Sequence, residues 1–287
     1  MNIISGGTGQ IGSALANTLL KNGEAVTIIS RSSKSAADWQ AKGAKFAVAD
    51  IYDTDALQHI FKTGKNIFVL NPPADPLTDT DLQERKTGAS LVAALKGTQP
   101  EKIVVASTLG ARPGSRIGDL NTLYELEQGI ASLGFPYQII RSAYYMSNWA
   151  SLLPGIKETG ELVSFFPKGL KMPMVAPQDI GELAAKYMTA KNGRELTAIV
   201  GPELYSPQDV ADEFSSALGR KVKVKVIPRQ EWTGAFKSTG FSEEAAASYA
   251  AMTEIAANHI ELPKDATKGK ITLQQFINKL IKAQDKS

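Results

Sequence analysis

Short apolar runs alternate along the first half of the chain with longer segments whose apolar residues recur every three or four positions. The runs are Ile3-Ile4, Ala25–Ser30, Lys45–Asp50, Asn66–Leu70, Lys102–Ser107 and Tyr137–Arg141, and they read as strands. Between them Ser13–Lys21, Ala36–Lys42, Asp53–Lys62, Asp81–Lys96 and Asn121–Leu133 read as helices. Asp53 or Thr54 is placed to cap the third helix. Leu82, Leu91, Val92 and Leu95 mark the apolar side of the fourth. Strand–helix alternation of this kind predicts an α/β fold, a doubly wound parallel sheet with helices on both faces.

After Arg141 the pattern loosens. Segments 152–160 and 165–173 carry glycines, prolines and aromatics. A helix (Pro177–Thr189), a strand (Leu196–Val200), a helix (Pro207–Leu218), a strand (Lys221–Ile227) and a helical tail follow. The expected organisation is a Rossmann core over residues 1–149 and a smaller mixed α/β lobe over 150–287, with the strand at 196–200 a candidate to rejoin the core sheet.

Composition narrows the chemistry. There is no cysteine, which excludes disulfides, thiolate metal sites and a Cys nucleophile. The two histidines, His59 and His259, are too few for a His-based zinc cage, and no metal is expected. A net charge of +3 gives no reason to expect a nucleic-acid partner. Lys221-Val222-Lys223-Val224-Lys225 reads as an edge strand with its lysines outward. No stretch approaches the ~20 apolar residues of a membrane helix, and the N-terminus lacks the basic start of a leader. The expectation is a cytoplasmic protein, with a homodimer left open.

The strongest motif is Gly6-Gly7-Thr8-Gly9-Gln10-Ile11-Gly12, between the first strand and the first helix. In that context Gly6 allows a tight turn, Gly9 lets the backbone approach a pyrophosphate, and Gly12 lets helix and strand pack closely. The helix N-terminus then offers free N–H groups to the anion. An NAD-selective site usually carries an acid about 20 residues on. Here that place reads Ile29-Ser30-Arg31-Ser32-Ser33-Lys34, with no acid between Ala25 and Ala37. Arg31 can bind a 2′-phosphate bidentately, with Lys34 and Ser32 adding contacts, which predicts NADP(H). The plainer alternative is a solvated helix start. Asp50 either accepts from the adenine amino group, with Ile51 as an apolar wall, or caps the next helix. Asn71 and Pro72 follow the fourth strand and should border the nicotinamide ribose.

Catalytic groups are sparse. The glycine-loop spacing resembles that of short-chain dehydrogenases/reductases, whose usual machinery pairs a tyrosine with a lysine four positions on. Tyr124 lies in the matching place, on the helix after the fifth strand, but the lysine is Gln128. Gln128 can bond a ribose hydroxyl and cannot stabilise a phenolate. Tyr124 is then a neutral proton donor or a packing residue. Thr108 sits where the same resemblance implies a catalytic hydroxyl, and Ser107 and Thr108 can equally cap their loop. Tyr144, Tyr145 and Trp149 follow the sixth strand, and Phe165 and Phe166 come next. These rings can wall a planar substrate or pack the lobe.

The spacing of the glycine loop resembles that of extended and atypical short-chain dehydrogenases/reductases, whose usual machinery includes Tyr-x-x-x-Lys. The chain as a whole resembles the NmrA-like atypical members, near the NADPH:quinone oxidoreductase and triphenylmethane reductase branch. The resemblance rests on Gly6–Gly12, Ser30-Arg31, Ala49-Asp50, Gly134-Phe135-Pro136-Tyr137 leading to Arg141, Tyr144–Asn148, Asp179-Ile180-Gly181 and Ser206–Val210. It implies NADPH held by Gly6, Thr8, Gly9, Gln10, Ile11 and Arg31, with the nicotinamide between Asn71 and Tyr144. The first expectation is hydride transfer to a quinone or similar planar acceptor, which needs stacking more than a strong acid. The second is a non-enzymatic NADP(H) sensor. A nucleotide-sugar epimerase is a weaker third.

Overall fold

The computed structural model describes residues 1–191, 195–258 and 261–284. His259 lies outside the described residues. The main sheet has eight strands in the order β13-β10-β6-β5-β4-β1-β2-β3. These are β1 (Asn2–Ile4), β2 (Val26–Ser30), β3 (Lys45–Val48), β4 (Asn66–Val69), β5 (Lys102–Thr108), β6 (Tyr137–Ser142), β10 (Leu196–Val200) and β13 (Thr267–Lys268). Every pairing in it is parallel. The order reverses at β1, whose neighbours are β2 and β4. That switch point opens a crevice at the carboxyl ends of the strands, the standard ligand position in such sheets.

The helices between them are α1 (Gln10–Lys21), α2 (Ala36–Ala41), α3 (Thr54–Phe61), α4 (Thr80–Leu95) and α5 (Asp119–Ala131). Asp53 caps α3 by accepting from the Ala56 amide, 3.0 Å away. Asp50 does not cap it. Its carboxylate accepts instead from the Tyr52 amide at 2.9 Å, in a local turn. Leu82 is a second correction, for it is 47% exposed. The buried face of α4 runs Leu95, Leu91, Thr87, Gly88, Glu84 and Asp81, apolar at one end and polar at the other.

The second half adds β7 (Tyr144–Tyr145), β8 (Glu161–Ser164), β9 (Met172–Val175), β11 (Leu204–Tyr205) and β12 (Lys223–Val226), with α6 (Leu153–Thr159) through α11 (Leu273–Gln284). Two small sheets, β11-β9-β7 and β12-β8, build the lobe. Lys225 of β12 pairs with Glu161 across its sheet. Two elements return to the core: β10 joins β6, and α7 (Pro177–Thr189) lies on α1. A methyl group on Gly181 would meet the Ala14 Cβ at 2.6 Å, so only glycine allows that approach. Asp179, buried beside it, accepts from the Ile271 amide and ties the tail to the core. Ser206 and Asp209 form a capping box on α8 (Pro207–Leu218).

Candidate active site

The glycine loop sits at the crevice. Ser5 holds it to the end of β4, its hydroxyl donating to the Leu70 carbonyl and accepting from the Leu70 amide. Gly6 has φ +66°, a left-handed turn that glycine adopts without strain. The Gly9 amide donates to the Gly6 carbonyl and tightens that turn. Gly12 is fixed by contact: a Cβ there would lie 2.3 Å from the Gly6 oxygen. Gly9 is the N-cap of α1 and brings no side-chain acceptor to its amides. The first turn of α1 thus faces the crevice with uncapped donors and the positive end of the helix dipole. Gly6, Thr8, Gly9 and Gln10 are exposed there, and Ile11 and Gly12 are buried beneath.

Arg31 and Lys34 follow β2 and are exposed, and no carboxylate pairs with either among the described residues. Ser32 caps the short turn 33–35 by accepting from the Lys34 amide. Two free cations beside an uncapped glycine loop suit a dinucleotide that carries an additional phosphate. Asp50 is exposed and Ile51 half-buried at the end of the β3 segment.

Asn71 departs from expectation. Its amide nitrogen donates to the Glu84 carbonyl and its oxygen accepts from Thr87, so the side chain is turned into α4. Asn71 and Pro72 are both half-buried. Ser107 is also committed, its hydroxyl donating to Glu127. Thr108 makes only a 3.5 Å contact with the Leu109 carbonyl. Tyr124 is half-buried and Gln128 exposed, and neither side chain has a partner among the described residues.

The aromatic residues divide. Tyr144 and Tyr145 are deeply enclosed but retain accessible surface. Burial pushes both phenols up to about 12, helped for Tyr145 by the charge of Asp119. They remain neutral hydrogen-bond donors. Trp149 is a correction: it is 3% exposed, and its indole N–H points at the Met174 sulfur. It packs behind Tyr144, with ring centres 5.7 Å apart. Phe166 is likewise buried, edge-on to Tyr144. Both pack against the Tyr144 ring from within the lobe core. Phe165 stacks at 4.3 Å on Phe236 of α9 (Trp232–Ser238).

That ring leads to groups that sequence reasoning missed. Phe236, Phe241 and Tyr249 form a cluster across α9 and α10 (Glu243–Asn258). Ser242 bonds to the Pro76 and Thr78 carbonyls, strapping this hairpin onto the loop after β4. Ser248 accepts from the Gly118 amide and donates to Asp81. Below the hairpin, Glu84 accepts from the Ala74 amide and from Thr122. Burial and the Asp119 charge push the Glu84 carboxyl up to about 8. The stripe of Leu95 and Leu91, continued backward at helical spacing, would have pointed to Glu84.

The family model for the NmrA-like family matches residues 3–277. The chain belongs to the NmrA-like family. An NAD(P)H azoreductase of Xenophilus azovorans is 27% identical over 248 residues, which is 86% of this chain and 84% of that protein. Among solved structures, an NADPH-dependent quinone oxidoreductase of Escherichia coli superposes with a TM-score of 0.78 at 22% identity, covering 98% of this chain and all of that one. The Citrobacter sp. triphenylmethane reductase superposes at 0.77 with 20% identity, covering all of this chain and 99% of that one. The likeness to these structures is one of fold, a mostly parallel sheet flanked by helices. No helix among the described residues is long and apolar enough to cross a membrane, and none of their acidic and His side chains cluster as a metal site.

Proposed function

We propose that the protein is an NADPH-dependent oxidoreductase that reduces a quinone or a similar planar acceptor. One observation carries the reading: an uncapped glycine loop at the switch point, with Arg31 and Lys34 unpaired at the end of β2. The cradle fits NADP(H), since a Cβ at Gly12 would collide with the loop and no acid repels a 2′-phosphate between Ala25 and Ala37. Gly6, Thr8, Gly9, Gln10 and Ile11 would hold the pyrophosphate, and Arg31 and Lys34 the 2′-phosphate. Asp50 and Ile51 would border the adenine, and Asn71, Pro72, Gln128 and Tyr144 the nicotinamide ribose side. Bound NADPH supplies two electrons as a hydride. Tyr144 and Tyr145 offer neutral phenols to a planar acceptor, and Phe165 extends that surface toward α9. The azoreductase named above supports an acceptor with a conjugated π-system.

Incubation with NADPH and a panel of quinones and azo dyes tests the reading. Acceptor-dependent loss of the reduced-nicotinamide absorbance is expected; its absence across the panel contradicts a reductase. A second reading, an NADP(H) sensor, is favoured by Tyr124 lacking a charged partner among the described residues. It requires different affinities for NADP+ and NADPH, since a ligand pair without differential binding reports no redox state.

A further inference from the structure

The α9–α10 hairpin stands apart from the apolar cores. No residue of 232–253 joins the three main apolar clusters formed by the described residues. Its rings make a cluster of their own, in which Phe236 stacks on Phe165 of the lobe and packs against Phe241 and Tyr249. The Trp232 indole N–H donates to the Ile227 carbonyl, just beyond β12, and fixes the start of α9 to the lobe. The joint with the core is of another kind. There α10 buries small residues, Ala245, Ala246 and Ser248, with Met252 the one longer side chain beside Gly118. Small side chains bury little apolar area, so parting them from the core costs little. What ties them is polar. The Ser242 amide and hydroxyl donate to the Pro76 and Thr78 carbonyls, each at 2.8 Å, and Ser248 bridges the Gly118 amide and Asp81.

These contacts set the hairpin around three strand ends. Pro76 and Thr78 lie in the loop after β4, and Gly118 lies between β5 and α5. Phe165 adjoins Phe166, whose ring packs edge-on against Tyr144, just beyond β6. Ligands bind such sheets outside the carboxyl ends of the strands, and β4 is the neighbour of β1 at the switch point.

We propose that the α9–α10 hairpin is a cover over the acceptor side of the crevice, latched to the core by Ser242 and Ser248, and that a bulky acceptor enters only when the latch is released. The identity of what enters rests on the reductase reading. An element with few apolar ties opens locally at a free energy well below that of global unfolding. A ligand that binds only the open form has its apparent affinity reduced by the open fraction. Loosening the latch therefore tightens the apparent binding of a bulky acceptor. It does nothing for a small one that passes beside the closed hairpin. Ser242 and Ser248 are positioning residues: they set access and take no part in hydride transfer. Ser242 has a second task, which substitution can separate from the first. Its oxygen accepts from the Ala245 amide at 3.1 Å and caps α10. Aspartate keeps that cap but, as a carboxylate, cannot donate to the Thr78 carbonyl. Threonine keeps both bonds.

Hydrogen exchange of the ligand-free protein reads the latch directly. Amides of 241–258 should exchange faster than those on the buried face of α4. Ser242→Asp should speed them about 2- to 10-fold, the worth of one hydrogen bond. Ser242→Thr should match wild type, and Ser248→Ala should speed exchange in the same residues. Steady-state kinetics with NADPH then reads access. In Ser242→Asp the KM for phenanthrenequinone, a three-ring acceptor, should fall about 2- to 10-fold, while the KM for single-ring benzoquinone and the affinity for NADPH stay within about twofold. Exchange in α10 that is no faster than in α4 and is unchanged by Ser242→Asp overturns the cover, and so do KM values that do not part between the two quinones. A wild-type protein inert toward every quinone overturns the reductase reading instead, and hydrogen exchange still decides whether the hairpin opens.

Discussion

Replacing Arg31 with alanine should weaken NADPH binding by about 10- to 100-fold and leave NADH binding within about twofold. A hydrogen bond to a charged group contributes about 1.5–3 kcal/mol, and each 1.4 kcal/mol is about tenfold in affinity. Arg31 follows β2 directly, at the place where an NAD-selective site carries an acid. It has no carboxylate partner to release among the described residues, so none of them offsets the loss. Its removal therefore reads out the phosphate contact alone. Calorimetric titration of wild type and Arg31→Ala with both nucleotides measures it. Parallel losses for the two nucleotides would mean that Arg31 acts on the fold or the adenine and not on the 2′-phosphate.

The second large effect is on stability. Glu127 is 1% exposed, and Arg141 meets it with two bonds, 2.9 and 2.6 Å long. Ser107 donates a third. The network ties β5, β6 and α5 together. Arg141→Ala leaves a buried carboxylate with one neutral partner. Breaking a buried pair from one side costs about 3–5 kcal/mol, because the remaining charge stays desolvated. An unfolding free energy in urea lowered by that amount is expected. A loss below about 1 kcal/mol, the range of a surface pair, would contradict a buried ion pair at this place.

The legibility of the molecule follows its periodicities. The β1–loop–α1 unit was readable because each glycine answers a separate demand: a positive φ at Gly6, a 2.3 Å contact at Gly12 and an uncapped N-terminus at Gly9. β10 was readable as a strand because four of the five residues of Leu196–Val200 are apolar. β13 was not, since two residues, Thr267 and Lys268, carry no period. In α4, Leu82 drew attention by its type, whereas the buried stripe passes through Glu84 and Asp81. Buried acids are rare, and composition alone argues against them. They become intelligible only when α5 brings Thr122 and Asn121 to them and α10 brings Ser248. α10 itself is rich in alanine, so its sequence gave little hint of the face it turns inward. Trp149 misled for a related reason: a large ring beyond a strand end suits a pocket wall and a lobe core equally, and Met174 draws it into the core.

Titration of the wild-type protein with NADPH and with NADH tests the central claim most directly. The uncapped loop and the unpaired Arg31 predict NADPH binding at least about tenfold tighter, the equivalent of one charge-assisted contact. Equal affinity would contradict the role of Arg31, and binding of neither nucleotide would contradict a dinucleotide site at the head of α1.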